Sequence, residues 1–183
     1  MKRSLTLMAL ASAILFSFSS CEKIAAKFVD PFTVEVNVPL QIEPVSAGSD
    51  LKLAEAVETF NIDSVIKSHT GQLGINNVKS ITPESASLTI NNGADDQNHF
   101  GNLQSVKVKF STGVNTTPAE LFSYTFPDAA TPILWQTLDA DQSKFVLDYM
   151  KNTQQKYEVY GTLRRDITHQ LTTTLVARFK VEF

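Results

Sequence analysis

The sequence lacks most of the residue patterns that mark catalysis or metal binding. Among 183 residues there is one cysteine, Cys21, so no disulfide can form within the chain. The three histidines, His69, His99 and His169, lie far apart, and none has the His-Glu-x-x-His spacing of a metal site. No Gly-x-Ser-x-Gly motif is present. We therefore expect no enzyme activity, no metal and no cofactor, although a fold can still assemble a Ser-His-Asp triad from distant residues.

Positive charge is also scarce. The chain has 16 lysines and arginines against 19 aspartates and glutamates, and two of the basic residues, Lys2 and Arg3, stand at the very start. Nucleic-acid binding needs concentrated positive charge to contact phosphates, so nucleic acid is not an expected partner. A hydrophobic content of 43% is ordinary for a globular protein, and the length fits a single domain.

Long apolar runs are absent except for one near the beginning. It extends from Leu5 to Phe18, directly after Lys2 and Arg3, and is followed by two serines. A positive start, an apolar segment and small residues in this order are typical of a secretory signal. The run is shorter than the ~20 residues that span a bilayer, so a permanent membrane helix is not expected.

The position of the single cysteine, just after this apolar run, resembles a known pattern. "FSFSSC", residues 16–21, resembles the lipobox of bacterial lipoproteins, with two small residues directly before Cys21. Phe18 stands where the family usually has an aliphatic residue. The resemblance covers only residues 1–22, and it implies that Cys21 is acylated and becomes the first residue of the mature protein. The alternative is an incidental cysteine beside an ordinary signal-peptidase site.

This resemblance predicts the organisation and location of the chain. Residues 1–20 would be a lipoprotein signal peptide, residues 21–31 a lipidated tether, and residues 32–183 one folded domain. Stable anchoring takes more than one acyl chain, each contributing ~0.8 kcal/mol per buried CH₂. We expect an exported protein held to the membrane through Cys21. In some lipoproteins of this family an Asp directly after the cysteine retains the protein in the inner membrane. Glu22 stands at that position here, so the resemblance favours the outer membrane of a Gram-negative bacterium.

Alternating apolar residues dominate residues 32–183. Residues 32–44, 103–113, 120–127 and 171–183 each place apolar side chains on one face, which predicts strands with one buried face. Pro39 predicts that the first of these strands lies at a sheet edge or is bent there. Residues 76–93 read as two short strands broken at Pro83. We also expect the first and last strands to be neighbours.

The remaining segments complete a mainly β prediction. Residues 156–163 and 171–183 are separated by about the length of a hairpin loop, whose charged tip would be Arg164 to Asp166. Residues 46–50 are expected to form a loop, after which Leu51 could begin a short strand. Short helices are expected at 63–69, capped by Asn61 or Asp63 and ended by Gly71, and at about 140–153, capped by Asp139 or Asp141. The fold class is then an antiparallel β-sandwich, Ig-like or jelly-roll-like, or an open barrel, with one or two short helices.

A few residues are candidates for binding. Trp135 could stack on a sugar ring if it is exposed, although its apolar neighbours also fit a core position, and Tyr124 fits a binding face or a core edge. Asp95, Asp96 and Asn98 supply the hard oxygen ligands that calcium prefers. The two aspartates are adjacent and do not follow the spaced pattern of a calcium loop, so a solvated turn is the favoured interpretation.

Three functions remain open at this point. The favoured one is a non-enzymatic binding or structural module on the cell envelope, with an envelope protein or a carbohydrate as partner, for which an exposed strand edge offers one binding mode. The second is an envelope hydrolase whose site is assembled by the fold. The third is a small outer-membrane β-barrel, because the alternating final segment ends in Phe183.

Overall fold

The computed structural model describes residues 29–128, 133–137 and 143–183, with the backbone alone at 133–137 and 143–145. The signal segment and Cys21 lie outside the described residues. The strands are β1 (Phe32–Ile42), β2 (Gly48–Thr59), β3 (Ser80–Asn92), β4 (Leu103–Thr112), β5 (Ala119–Thr125), β6 (Ile133–Thr137), β7 (Gln154–Leu163) and β8 (Leu171–Glu182). The helices are α1 (Ile62–Thr70) and α2 (Ser143–Met150).

These strands form two four-stranded antiparallel sheets. Sheet 1 has the order β1-β8-β3-β6 and sheet 2 the order β2-β7-β4-β5. Along the chain, every connection except β4–β5 crosses from one sheet to the other. This order is that of an eight-stranded jelly roll, so the prediction of a mainly β, antiparallel sandwich is confirmed.

The core lies between the sheets, because each strand points alternate side chains inward. In β1 the inward positions from Val34 to Ile42 are at most 4% exposed, while the residues between them are exposed. The inward positions of β8, from Leu171 to Val181, are buried in the same way. This period of two is the pattern that made these strands visible in the sequence.

No described helix combines the length and the apolar character that a membrane span requires.

The edge position of β1 is confirmed. Among the described strands its one partner is β8, and Pro39 lies opposite Thr174. A proline has no N–H to donate, which an edge strand tolerates. The pairing also confirms that the first and last strands are neighbours.

Residues 80–92 form one continuous strand, so the prediction of two strands broken at Pro83 was wrong. The register of β3 against β8 slips between Pro83 and Ser85, which marks a bulge. On its other side, β3 pairs with β6 only from Ser85 to Thr89. The proline therefore stands where β3 has one described neighbour, and its missing N–H costs little.

The strand β2 is longer than its sequence pattern indicated. Residues 46–50 were expected to be a loop and Leu51 to begin a short strand, yet β2 runs from Gly48 to Thr59. Its register against β7 is irregular between Gly48 and Leu51 and again between Lys52 and Ala54. Two irregularities so close together hide the period of two.

The connector between β7 and β8 is not a hairpin loop, as had been expected from its length. β7 lies in sheet 2 and β8 in sheet 1, so residues 164–170 cross between the sheets. Spacing along the chain cannot distinguish a hairpin from a short crossover of this kind.

The two helices are close to their predicted positions. α1 begins after Asn61, whose side chain accepts a hydrogen bond from the Ser64 N–H, and it ends at Gly71 with φ at 81°. α2 lies in the predicted segment and buries Val146 and Met150 in the core. The predicted caps of α2, Asp139 and Asp141, lie outside the described residues.

Candidate functional site

The strand directions give the sandwich two different ends. β1, β3, β5 and β7 all finish at the same end of the sandwich, which we call the loop end. Phe32, where β1 begins, lies at the opposite end, the tether end. There its ring is near that of Phe183, with 6.1 Å between the centroids, and stacks on His69.

The loop after β3 has a defined internal structure. Gly93 opens it with φ at 89°, a conformation that favours glycine. Asp95 Oδ1 then accepts hydrogen bonds from the backbone N–H groups of Gln97 and Asn98 and from the Asn98 side-chain amide. The Asn98 amide and the Gln97 N–H lower the pKa of Asp95. Asp95 is thus an ionised residue that holds a turn.

Asn98 joins this loop to the β7–β8 connection. Its side chain is buried, and its Oδ1 accepts hydrogen bonds from the N–H and hydroxyl of Thr168. Its amide nitrogen also lies 3.2 Å from His169 Nδ1, while His169 Nε2 lies 2.6 Å from the Gly93 carbonyl oxygen. An amide only donates at nitrogen, so Nδ1 is the acceptor and Nε2 carries the proton.

Asn102 makes a second connection between the same two loops. It is 1% exposed, and its amide nitrogen donates to the carbonyl oxygens of Gln97 and Asp166. Its backbone carbonyl accepts from the Arg164 N–H. Within the described chain its Oδ1 is the one buried side-chain polar atom that has no hydrogen-bond partner.

The arginines beside this site have different roles. Arg164 donates to the carbonyl oxygens of Leu103 and Phe126, and so ties the β7–β8 connection to the ends of sheet 2. Arg165 points elsewhere and forms an exposed ion pair with Asp128, 2.7 Å between Nη2 and Oδ1. The interpretation of residues 164–166 as a solvated hairpin tip was therefore wrong, because Arg164 is structural.

These loops enclose an open cavity of about 560 Å³ at the loop end. The described residues that line it are all of polar type, namely Asp96, Gln97, His99, Asn102, Asp128, Arg165, Asp166 and Thr168. His99 is held in place because its Nδ1 accepts a hydrogen bond from the Gly101 N–H. One oxygen of Asp166 accepts from the Ala47 N–H, so the loop after β1 also supports the site.

The cavity is negatively charged without being a metal site. Three carboxylates, Asp96, Asp128 and Asp166, face one guanidinium, Arg165. In the described part of the chain no three histidine, cysteine or acidic side chains come close enough together to hold a metal ion. The cavity instead combines separate acceptors and donors around one buried, unpartnered amide oxygen.

The three residues of the oxygen-rich segment, predicted as a turn with calcium as the weaker alternative, have different roles. The side chains of Asp95 and Asn98 make hydrogen bonds within the turn and to the neighbouring loop. Asp96 alone lines the cavity, and its side chain makes no hydrogen bond or ion pair within residues 29–128, 133–137 and 143–183. The three residues are therefore not a common ligand set.

The two aromatic candidates are not part of this cavity. Tyr124 lies opposite Val106 on the inward face of β5, half-buried, with its ring edge against Phe126. It is thus a core-edge residue. Trp135 pairs with Ser87 in the backbone register of β6, and its side chain lies outside the described residues.

Sequence reasoning singled out Asp96 but did not predict the cavity that it lines. Asn102, Asp128 and Asp166 belong to three different loops, and only the crossing of the chain between the sheets brings them together. The one local signal was the concentration of Asn, Asp and His just before β4. Nothing in the sequence pairs it with residues more than 60 positions later.

A second recess, of about 510 Å³, lies toward the tether end, next to Val57, Gly113 and Pro118. Its charged residues already satisfy each other, because Lys156 forms ion pairs with both Glu55 and Glu158. The loop-end cavity is therefore the better candidate for a ligand site.

No protein-family model matches this chain, and no curated protein matches it. Among solved structures, similar chains include the capsid of Ralstonia phage GP4, 11% identical, with a TM-score of 0.37 and 83% of this chain and 85% of that chain covered. The Triatoma virus empty capsid is 10% identical, with a TM-score of 0.35 and coverages of 87% and 94%. Desmodium yellow mottle tymovirus is 11% identical, with a TM-score of 0.29 and coverages of 84% and 90%. These TM-scores are low, and the likenesses carry no argument about what this chain does.

Proposed function

We propose that this protein is a lipid-anchored, non-enzymatic binding module of a bacterial cell envelope, attached through Cys21 to the outer membrane. The observation that carries the proposal is that the tether end and the loop end lie at opposite ends of the sandwich. The tether that follows Cys21 enters the domain at Phe32, and the candidate cavity lies at the other end of the sandwich.

This geometry suits display of a ligand site away from a membrane. Strands of about ten residues span roughly 33 Å at 3.3 Å per residue. An anchor at the tether end therefore leaves the loop end facing away from the lipid, open to the surrounding compartment. Loops carried on a rigid sandwich are a common location for binding residues.

The cavity favours binding over hydrolysis. A glycosidase needs one carboxyl group that stays protonated, which burial in an apolar pocket provides. Asp96, Asp128 and Asp166 are all exposed, and Asp128 is paired with Arg165. His99 has no serine or carboxylate hydrogen-bonded to its ring within the described residues. These features support a binding site that leaves its ligand unchanged.

The anchor is tested with the full chain and its Cys21→Ala variant in a Gram-negative host. We expect the wild-type protein in the membrane fraction, labelled by radioactive palmitate, and the variant unlabelled and released without detergent. Ser46→Ala, in the exposed loop after β1, serves as a matched control that keeps the cysteine. If the variant stays in the washed membrane fraction, the anchoring proposal is wrong.

Orientation is tested by protease treatment of intact cells. Loss of the domain before lysis would indicate a surface-facing protein, and its survival until lysis would indicate a periplasmic one. Either result is compatible with the anchor, and each selects the set of partners to test next.

A further inference from the structure

We infer that the loop-end cavity binds a neutral, hydroxyl-rich ligand, that is, a saccharide. This inference deepens the proposed function, since it names the ligand class of the proposed binding site. It rests on the polar groups of the cavity, and each alternative ligand class conflicts with one of their features.

The buried oxygen of Asn102 supplies the first argument. The Asn102 amide nitrogen is committed to the carbonyl oxygens of Gln97 and Asp166, so the side chain cannot turn over without losing both hydrogen bonds. Its Oδ1 is therefore fixed as an acceptor, yet it has no partner in the described chain. An unpaired buried acceptor is unfavourable, and a ligand hydroxyl that reaches Oδ1 from the cavity would satisfy it by donating a hydrogen bond.

The surrounding groups supply the second argument. Asp96 and Gln97 line the cavity, and neither side chain makes a hydrogen bond within the described chain. Asp96 can only accept, whereas the Gln97 amide both donates and accepts. The Arg165–Asp128 pair adds a donor and an acceptor held side by side. A row of sugar hydroxyls, each able to donate and accept, matches such a mixed set.

The other ligand classes fit less well. An anion would face three carboxylates and a guanidinium already paired with one of them. A metal ion lacks three converging ligands in the described chain. A cationic peptide would find one of the three carboxylates, Asp128, already paired with Arg165. An apolar ligand would leave the side chains of Asp96 and Gln97 without a partner. The volume of about 560 Å³ is within the range of small-molecule sites, which suits a short stretch of glycan.

The test is titration of the purified full-length protein, in a zwitterionic detergent without a sugar head group, against a defined panel. The panel contains xylan, mannan, mixed-linkage β-glucan and starch, with polygalacturonate and oligolysine as charged probes. We expect saturable binding of at least one neutral polysaccharide. Its affinity should change less than about two-fold between 50 and 500 mM NaCl, because salt screens only charged contacts.

Two variants connect the binding to this cavity. Asp96 has no partner in the described chain, so Asp96→Asn leaves the fold intact, and we expect it to weaken binding at least ten-fold. Asp148→Asn is the matched control, since Asp148 lies on the exposed face of α2 and pairs only with nearby Lys151. Gln97→Ala is a second variant, because only the backbone of Gln97, and not its side chain, takes part in the hydrogen bonds that hold the loops.

The outcomes separate this inference from the anchor. Binding to polygalacturonate or oligolysine alone, binding to none of the polysaccharides, or binding that Asp96→Asn and Gln97→Ala leave unchanged would each overturn the saccharide assignment. None of these results bears on the fractionation of the Cys21→Ala variant. The Cys21→Ala variant can stay in the membrane fraction although the protein binds a polysaccharide, and it can be released although the protein binds none.

Discussion

Tyr157 combines a fully buried ring with a polar group that needs a partner. Its hydroxyl donates to Gln155 Oε1 at 2.7 Å, and its ring stacks on Phe110. Tyr157→Phe keeps the ring but leaves the buried Gln155 oxygen unpaired. We expect a loss of about 1–3 kcal/mol in the free energy of unfolding by urea at pH 8. Tyr160→Phe, at a half-buried outward position of the same strand, should cost less.

The same tyrosine predicts a pH dependence. Burial, together with the charge of Glu58, raises the pKa of Tyr157 above its usual 10.0. Above pH 10 the unfolded chain loses this proton while the folded chain keeps it, so this contribution to stability falls as the pH rises. The stability gap between wild type and Tyr157→Phe should therefore narrow from pH 8 to pH 11. A difference in unfolding free energy that stays constant from pH 8 to pH 11 would contradict the conclusion that the Tyr157 hydroxyl is buried and stays neutral.

Gly93 is required by both its conformation and its surroundings. Its φ is 89°, and a Cβ built there would lie 2.5 Å from the Gln170 carbonyl oxygen. Gly93→Ala should reduce stability by about 2–3 kcal/mol and disturb the cavity loops, because both strain and a backbone contact oppose the methyl group. Gly113→Ala is the control, since no atom of the described residues lies within 4 Å of a Cβ built at Gly113. Equal unfolding midpoints for the two variants would refute this explanation.

At the scale of elements, the outward face of sheet 2 carries a network of ion pairs across neighbouring strands. Lys52 pairs with Glu55 and Glu158, and Lys156 pairs with the same two carboxylates. Hydrogen bonds from Lys52 and then Lys156 lower the pKa of Glu55 from 4.5 to about 2. The network therefore depends on the register of β2 against β7.

This network predicts acid sensitivity. As the pH falls from 4.5 to 2, the unfolded chain protonates at Glu55 while the folded chain does not, so the contribution of this residue to stability is lost over that range. Wild type should exceed Glu55→Gln in urea midpoint at pH 6, and the difference should shrink toward pH 2. The difference should also be small and salt-sensitive, because the pairs are exposed. Glu120→Gln, which removes a carboxylate without a partner in the described chain, is the control and should change the urea midpoint at pH 6 by less than Glu55→Gln.

The elements also differ in how far sequence could predict them. β1 and β8 have an uninterrupted period of two, β4 keeps this period from Val106 to Phe110, and the inward residues of these segments were identified correctly. β2 and β3 were misjudged because bulges interrupt that period, and the β7–β8 crossover has the length of a hairpin. In the candidate site, the turn at Asp95 was predictable from local chemistry. The cavity was not, since Asn102 and Asp166 meet only through the jelly-roll order of the strands.

At the scale of the whole molecule, the pairing of β1 with β8 makes the sandwich depend on both ends of the domain. β1 contributes five inward side chains that are at most 4% exposed, namely Val34, Val36, Val38, Leu40 and Ile42. At about 1.5–3 kcal/mol each, their burial amounts to roughly 7–15 kcal/mol. The whole stability of a domain is about 5–15 kcal/mol.

A chain that begins at residue 43 should therefore not fold, whereas one that begins at residue 32 should. Without β1, the inward face of β8 loses its neighbour and the core opens on one side. The measurement is the dispersion of amide signals in a two-dimensional NMR spectrum, with urea unfolding as a second readout. We expect a dispersed spectrum and a cooperative transition for residues 32–183, and neither for residues 43–183. A cooperative transition in the shorter chain would mean that the remaining seven strands hold the sandwich without β1, and that its burial contributes far less than its area indicates.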